Sequence, residues 1–428
     1  MTLVVLTLLS SISSSQVQPR WRLLATSPSD GPGRHDDVFF INPQVGWVVN
    51  GSRKVYKTTN GGATWQLKYT AASYLRCVGF ADSLTGWAGS LDTNHVLYST
   101  IDGGDTWVQV QNFPALRPAG ICGLSVVSRQ VVYGSGAYFG SPRVLKTTDG
   151  GSTWSVIDMR PYASALVDCF FFNQDSGFVV GSRGVVAYNM DTAIVLFTSN
   201  GGSSWVPKIV GLRDRELSWK ITFPSPTIGY ASIERFPAVQ SFYFRTTDRG
   251  QTWQERSFIQ NYDVQGIGFT GTGNLGWIGG WGGPTYETTD GGGSWHLAGF
   301  GSNVNRIRML SDTLGYAVGA RVYKYSRDST VNVRFDEATG ISGFSLAQNY
   351  LNPFNPRTRI GYTLARLAHV RLVVFDLLGR EIATLVDENQ FPGEQSVEVE
   401  SERLASGIYM YQLAAGSFTS TRKMIVVK

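Results

Sequence analysis

Cysteine and histidine are scarce in this 428-residue chain, with three and four copies. Cys77, Cys122 and Cys169 form an odd, sparse set with no CxxC or Cys/His spacing. That argues against a disulfide framework and against a metal site, and leaves buried free thiols as the expectation. Charge is also low. Only 16% of residues are charged, and the formal surplus of +5 is spread along the chain without a basic run. Nucleic acid is therefore not an expected partner. No Gly-rich loop opens a helix, so nucleotide binding has no support, and no cofactor is implied. Beyond a short apolar stretch at the start, nothing is long and apolar enough to cross a membrane as a helix. What is plentiful is glycine, at 49 residues, and aromatics, at 13%. Together they favour an all-β protein with many turns.

The glycines and tryptophans are ordered. A box of the form Thr-x-(Asp/Asn)-x-Gly-x-(Thr/Ser)-Trp ends at Trp65, Trp107, Trp154, Trp205, Trp253 and Trp295, in steps of 42, 47, 51, 48 and 42 residues. A recurring period of this size means a repeat architecture. The third position is Asn60, Asp102, Asp149, Asn200, Asp248 or Asp290. Its side chain can accept hydrogen bonds from its own turn, and the glycines allow φ > 0. Each box then reads as a fastened hairpin turn, with its Trp carrying apolar area into the next strand. One carboxylate per turn, replaced twice by Asn, is too few for a calcium site.

A second signature opens the second strand of each repeat: Gly46-Trp47, Gly86-Trp87, Gly177-Phe178, Gly229-Tyr230, Gly276-Trp277 and Gly315-Tyr316. Val132-Tyr133-Gly134 stands in that place in the third repeat. Seven second strands thus face six boxes. The seventh unit ends at Ser326-Arg327-Asp328 without a box, while an orphan strand, Trp21–Leu24, sits at the other end with a Trp of its own. The economical solution is a ring. The N-terminal strand becomes the outer strand of the last blade and closes seven four-stranded blades, which removes the open sheet edges.

Residues 1–15 read as a signal peptide, with a short apolar core and small residues before Gln16. The propeller spans 16–327, and a polar, aperiodic linker follows at 328–343. Residues 344–428 change texture. Strands are expected at about 357–364, 369–376, 380–386, 395–400, 407–414 and 417–427. Alternation in Val370, Leu372, Val374 and in Tyr409, Tyr411, Leu413 predicts a small Ig-like β-sandwich.

The repeat resembles the BNR/Asp-box superfamily of WD40/YVTN-like propellers, and residues 46–65 are similar to the repeat of photosystem II assembly and stability factors. The last module resembles the type A C-terminal sorting domain of the type IX secretion system. The matching residues are Asn352-Pro353-Phe354-Asn355-Pro356, Val374–Glu381, Gly407 and Tyr409 in 407–413, and Arg422 and Lys423 in 422–428. Leu351 stands where that family usually has Pro. The second resemblance implies recognition of 344–428 by the secretion machinery, passage across the outer membrane, and a secreted or cell-surface protein.

In a propeller the box turns lie on one face, and function is expected on the other. The loops of that face carry Tyr74, Arg76, Arg117, Tyr138, Arg183, Arg213, Arg235, Trp281 and Arg306, interleaved with Asp92, Asp214, Glu216, Glu234 and Asp263. Arginine forks and aromatic faces suit an acidic glycan or an acidic protein segment. The expectation is a non-enzymatic binding protein for a glycan or protein. The alternative is a secreted glycoside hydrolase of sialidase-like or xyloglucanase-like type, using Asp36, Asp37, Asp168 or Asp263. Against it, the Arg-Ile-Pro motif of sialidases is absent, seven blades differ from their six, and xyloglucan-cleaving enzymes use two propellers. An assembly factor for a membrane complex is a further alternative, opposed by the sorting module.

Overall fold

A computed structural model describes residues 18–28, 34–184, 191–235, 239–327, 344–349, 352, 354–364, 368–376, 379–390, 393–401, 404–416 and 418–427. The expected signal peptide and the 328–343 linker lie outside them. The chain divides into two compact units, with the boundary after Ser329.

The first unit contains seven four-stranded antiparallel sheets among the described residues. Their innermost strands are His35–Phe40, Leu75–Phe80, Gly123–Val126, Ala165–Phe171, Glu216–Thr222, Val264–Phe269 and Arg306–Ser311. Each touches the next, and the seventh touches the first, so the sheets form a closed ring of blades. In six blades the four strands follow in chain order. The seventh takes its outer strand from the N-terminus: Arg20–Leu23 pairs with Val322–Ser326, Arg20 opposite Ser326 and Leu23 opposite Tyr323. Trp21 is 9% exposed. Its ring stacks on Phe300 at 4.5 Å and meets Trp277 and Tyr325 at 5.3 and 5.4 Å.

One interface recurs around the ring and joins the two sequence signatures. In five of the seven blades the aromatic opening the second strand lies on an aromatic in or just after the inner strand of the next blade. Trp47 stacks on Phe80, Tyr133 on Phe171, and Tyr316 of the last blade on Phe40 of the first, each with centroids 3.5 Å apart. The polar tip then reaches the neighbouring box. Trp47 Nε1 donates to Gly103 O at 2.9 Å, and Tyr316 OH to Gly61 O at 3.1 Å. This explains the second box glycine, because a Cβ on Gly104 would stand 2.7 Å from Trp47 Nε1.

Within the box, the third-position side chain ties its own turn. Asp102 accepts the Thr106 N–H at 2.9 Å and the Thr100 and Thr106 hydroxyls at 2.8 and 2.6 Å, while Thr100 Oγ1 accepts the Gly104 N–H at 2.9 Å. The pattern repeats at Asn60, Asp149, Asn200, Asp248 and Asp290. Hydrogen bonds from Thr153 and Thr147 lower the Asp149 carboxyl to about 2. The box tryptophans are buried or half-buried, as at Trp65, Trp107, Trp154, Trp205, Trp253 and Trp295.

The second unit is a two-layer sandwich. One sheet joins Ser345–Leu346, Arg357–Leu364 and Gly393–Glu400. The other orders Glu381–Gln390, Ala368–Phe375, Gly407–Ala415 and Phe418–Val426. Ile360, Tyr362, Leu364, Val370, Leu372, Val374, Tyr411 and Leu413 fill the space between them.

Candidate functional site

The middle of the ring is not an open pore. In five inner strands the register slips near the loop-face end, between His35 and Asp37, Leu75 and Cys77, Leu166 and Asp168, Ser218 and Ile221, and Val264 and Ile267. Such a bulge leaves a residue unpaired and re-aims its side chain. Here it frees Asp36, Arg76, Trp219, Lys220 and Gln265. Arg76 ion-pairs with Asp36, to which Arg34 Nε also donates at 3.0 Å. The Arg76 guanidinium lies 4.7 Å from the Trp219 ring centroid, and Trp219 Nε1 donates to Asn305 Oδ1 at 2.7 Å. Arg306 forks onto Asp168 at 2.7 and 3.2 Å, and its Nε lies 3.0 Å from Asp37 Oδ1 as an ion pair without hydrogen-bond alignment. Asp37 also takes Arg308 at 3.1 Å and the Val78 N–H at 3.2 Å. Burial opposes the charge of Asp37, but Arg306 and Arg308 outweigh it and hold the carboxyl below its usual range. The three cysteines are buried and free, and burial raises all three thiols.

The nine residues expected to share one loop surface separate into five places. Arg76 and Arg306 are 1% and 5% exposed. They stand at the start of inner strands and belong to the channel network, not to a loop. Tyr74 is beside them; burial and Asp36 raise its phenol. Arg213 and Arg235 close over the buried Glu216 at 2.6 and 3.0 Å, and Arg213 also binds Glu255 and stacks on Phe242. Arg117 is exposed and borders a small pocket with Phe113. Tyr138 and Arg183 line a groove of about 720 Å³ between the third and fourth blades, with Phe139, Arg160, Tyr162 and Asp191. Trp281 is at the outer end of the channel, tied to Asp36 through Arg34.

Around Trp281 the loops of four blades converge. Its ring is 58% exposed, and the Arg34 guanidinium lies 4.7 Å from its centroid. Its backbone N–H donates to Asp263 O at 3.0 Å. Arg34 reaches on to Gln265 and, at 3.4 Å, to Asn303, and Gln265 Nε2 donates to Glu234 Oε1 at 2.9 Å. Asp263 Oδ1 is buried and accepts no hydrogen bond among the described residues. Burial first, and the Glu234 carboxylate second, push the Asp263 carboxyl up to about 7 against the pull of Arg34. An exposed flat ring is therefore joined, through Arg34, Gln265 and the Asp263 backbone, to a network holding two carboxyls, of which Asp263 is raised to about 7. Sequence named Trp281, Glu234 and Asp263 but missed Arg34 and Gln265. The signal for them was polar residues at the entrances of two inner strands. Among the described residues no group of three or more His, Cys, Asp or Glu is arranged to hold a metal ion.

In the second unit the sorting-motif residues anchor the last strand. Asn352 Oδ1 accepts the Ile425 N–H at 2.8 Å, and its Nδ2 lies 3.4 Å from Lys423 O. Phe354 is buried and bridges Val426. Pro356 O accepts the Ser401 N–H at 2.7 Å, next to Asn355. Tyr409 OH donates to Ala405 O at 3.1 Å, and Arg422 Nε to Leu346 O at 3.2 Å. Gly407 starts the strand paired to Val426, and Lys423 is exposed. Pro353 lies outside the described residues.

Comparison with known proteins places this geometry. No curated protein matches the chain. Two structures of YCF48 superpose on its propeller. The one bound to D1 peptide has a TM-score of 0.53 at 17% identity, over 72% of this chain and 97% of the other. The one from Cyanidioschyzon merolae has a TM-score of 0.54 at 17% identity, over 72% and 98%. The WD40 β-propeller domain of Doa1 gives 0.51 at 10%, over 73% and 98%. At these identities the likeness shows the fold alone. Residues 349–427 match the family described as the secretion system C-terminal sorting domain. The second unit therefore belongs to that family, and the chain is a β-propeller exported by type IX secretion to the cell surface or beyond it.

Proposed function

We propose that the exported propeller is a non-enzymatic binding protein that recognises a glycan at the Trp281 end of its channel. The supporting observation is Trp281 itself, 58% exposed and backed by Arg34, at the edge of the network that holds the Asp263 and Glu234 carboxyls. An aromatic face accepts the apolar side of a sugar ring, and adjacent carboxyls accept its hydroxyls. Four of the six arginines that favoured an acidic ligand, Arg76, Arg213, Arg235 and Arg306, already pair with Asp36, Asp37, Asp168 and Glu216, so a neutral glycan is the better match. The same commitment removes Asp36, Asp37 and Asp168 from the list of acids available for catalysis.

A glycan array probed with the mature protein and with Trp281→Ala tests this reading. The variant is expected to lose at least about ten-fold in affinity, with an unchanged melting temperature. Equal binding by wild type and variant refutes it. The glycosidase alternative rests on the raised Asp263 carboxyl next to Glu234. Turnover of a fluorogenic glycoside that is lost in both Asp263→Asn and Glu234→Gln would replace the binding-only reading. YCF48 has been seen with a D1 peptide. Capture of a peptide in place of any glycan would favour the assembly-factor alternative.

A further inference from the structure

The loop-face reading leaves one buried group without a role. Lys220 lies in the bulge of the fifth inner strand, 1% exposed, and its Nζ makes no hydrogen bond to any described residue. Its charged neighbours, Asp37, Arg76, Asp168 and Arg306, come from four other inner strands. The Cys77 and Cys122 thiols face it as well. Only the ring axis is common to all of these strands, so the ammonium lies on it.

The carboxylates around this axis are already occupied. Asp36 takes Arg34 and Arg76. Asp37 takes Arg306, Arg308 and backbone N–H groups. Asp168 takes both Nη atoms of Arg306 and the Ile221 N–H. Five cations, Arg34, Arg76, Lys220, Arg306 and Arg308, thus face these three carboxylates, and Asp263 and Glu234 add two more on the Arg34 side alone. Among the described residues the donors of these five without a hydrogen-bonding partner are Lys220 Nζ, the Nε and Nη2 of Arg76, and Arg306 Nε, which is ion-paired with Asp37. One carboxylate oxygen of the three, Asp36 Oδ2, also makes no hydrogen bond, and it faces the Tyr74 hydroxyl.

A cation buried without a counter-charge is costly, and a protein relieves it by losing the proton or by taking up an anion. Burial and the repulsion of Arg306 lower Lys220 to about 7, so a single added negative charge decides for the ammonium. We propose that the channel centre is a binding site for a monatomic anion of chloride type, held by Lys220 with the spare donors of Arg76. The size follows from the near-complete burial of both side chains. A cavity of about 410 Å³ on the box-face half of the channel is bordered by Asp168 and Arg306, two of the charged neighbours of Lys220.

The test is thermal unfolding of the full chain, read by tryptophan fluorescence, with chloride replaced by gluconate at constant ionic strength. Ten-fold excess of chloride over its Kd is expected to raise the wild-type melting temperature by about 2–4 °C. Lys220→Met, similar in length and uncharged, is expected to show no such rise, whatever its own melting temperature. No rise in the wild type, or an undiminished rise in Lys220→Met, overturns the site. If the variant does not fold, the wild-type 35Cl line width decides. Broadening that is reversed by bromide supports the proposal, and a line width equal to that of buffer refutes it.

Discussion

Trp21→Ala measures how much the ring depends on its N-terminal strand. Trp21 is 9% exposed and touches three rings, of Trp277, Phe300 and Tyr325. A tryptophan buries about 150–250 Å², worth about 4–6 kcal/mol at ~25 cal/mol per Å². The indole N–H makes no hydrogen bond to a described residue, so no polar contribution is added. Alanine keeps part of the area and the site relaxes in part, which brings the expected loss to about 4 kcal/mol. All twelve tryptophans precede residue 296, so fluorescence during urea titration reports the propeller and not the sandwich. Trp107→Ala, at the corresponding station of the second blade, is the reference, since its ring meets Phe80 at 5.8 Å. If Trp21→Ala costs less than about 1 kcal/mol while Trp107→Ala costs about 4, closure by the N-terminal strand contributes little and the reasoning fails.

Three further outcomes are expected. Asp102→Ala removes an acceptor of three hydrogen bonds in an exposed turn and should lower propeller stability by about 1–2 kcal/mol, measured by the urea midpoint. Tyr411→Phe leaves the Ala347 carbonyl and the buried Asn349 N–H without their partner. The sandwich should lose about 1–3 kcal/mol, seen as faster limited proteolysis of the C-terminal unit. Asp263 ionises near 3.8 when unfolded and is raised to about 7 when folded. Between those values the native state holds a proton the unfolded chain has released. The contribution is therefore full below the unfolded value and is lost as pH rises toward 7. The difference in urea midpoint between wild type and Asp263→Asn should fall over that range and level off above it. A difference that does not vary with pH contradicts the assignment.

The ring was legible because its requirements are local. A box turn closes its hydrogen bonds within four residues, so Thr, Asp or Asn, and two glycines must recur together, and Trp21 marked the missing strand by its type. The sandwich was legible for a similar reason: two-residue alternation reports which side of a strand is buried. The channel was not. Asp36 and Arg76 meet across 40 residues, and Arg306 and Asp168 across 138. Their approach depends on bulges that shift the strand by one residue, and such a slip exchanges inside for outside. Arg76 and Arg306 therefore read as loop cations, when each stands on an inner strand. Lys220, in Glu-Leu-Ser-Trp-Lys-Ile-Thr, carries no local signal that it is buried near the axis.

The borrowed outer strand also decides how the propeller bears load. Traction on the sorting domain passes along the backbone into Val322–Ser326. That strand is bonded along both edges, to Leu314–Val318 on one side and to Arg20–Leu23 on the other. Had the seventh blade been built in chain order like the rest, the tail would hang from an outermost strand with a single neighbour, and a pull could peel it away one bond pair at a time. Threading the N-terminus around the outside places the towing point inside the sheet. Any pull on the C-terminal unit therefore meets a strand held on both sides.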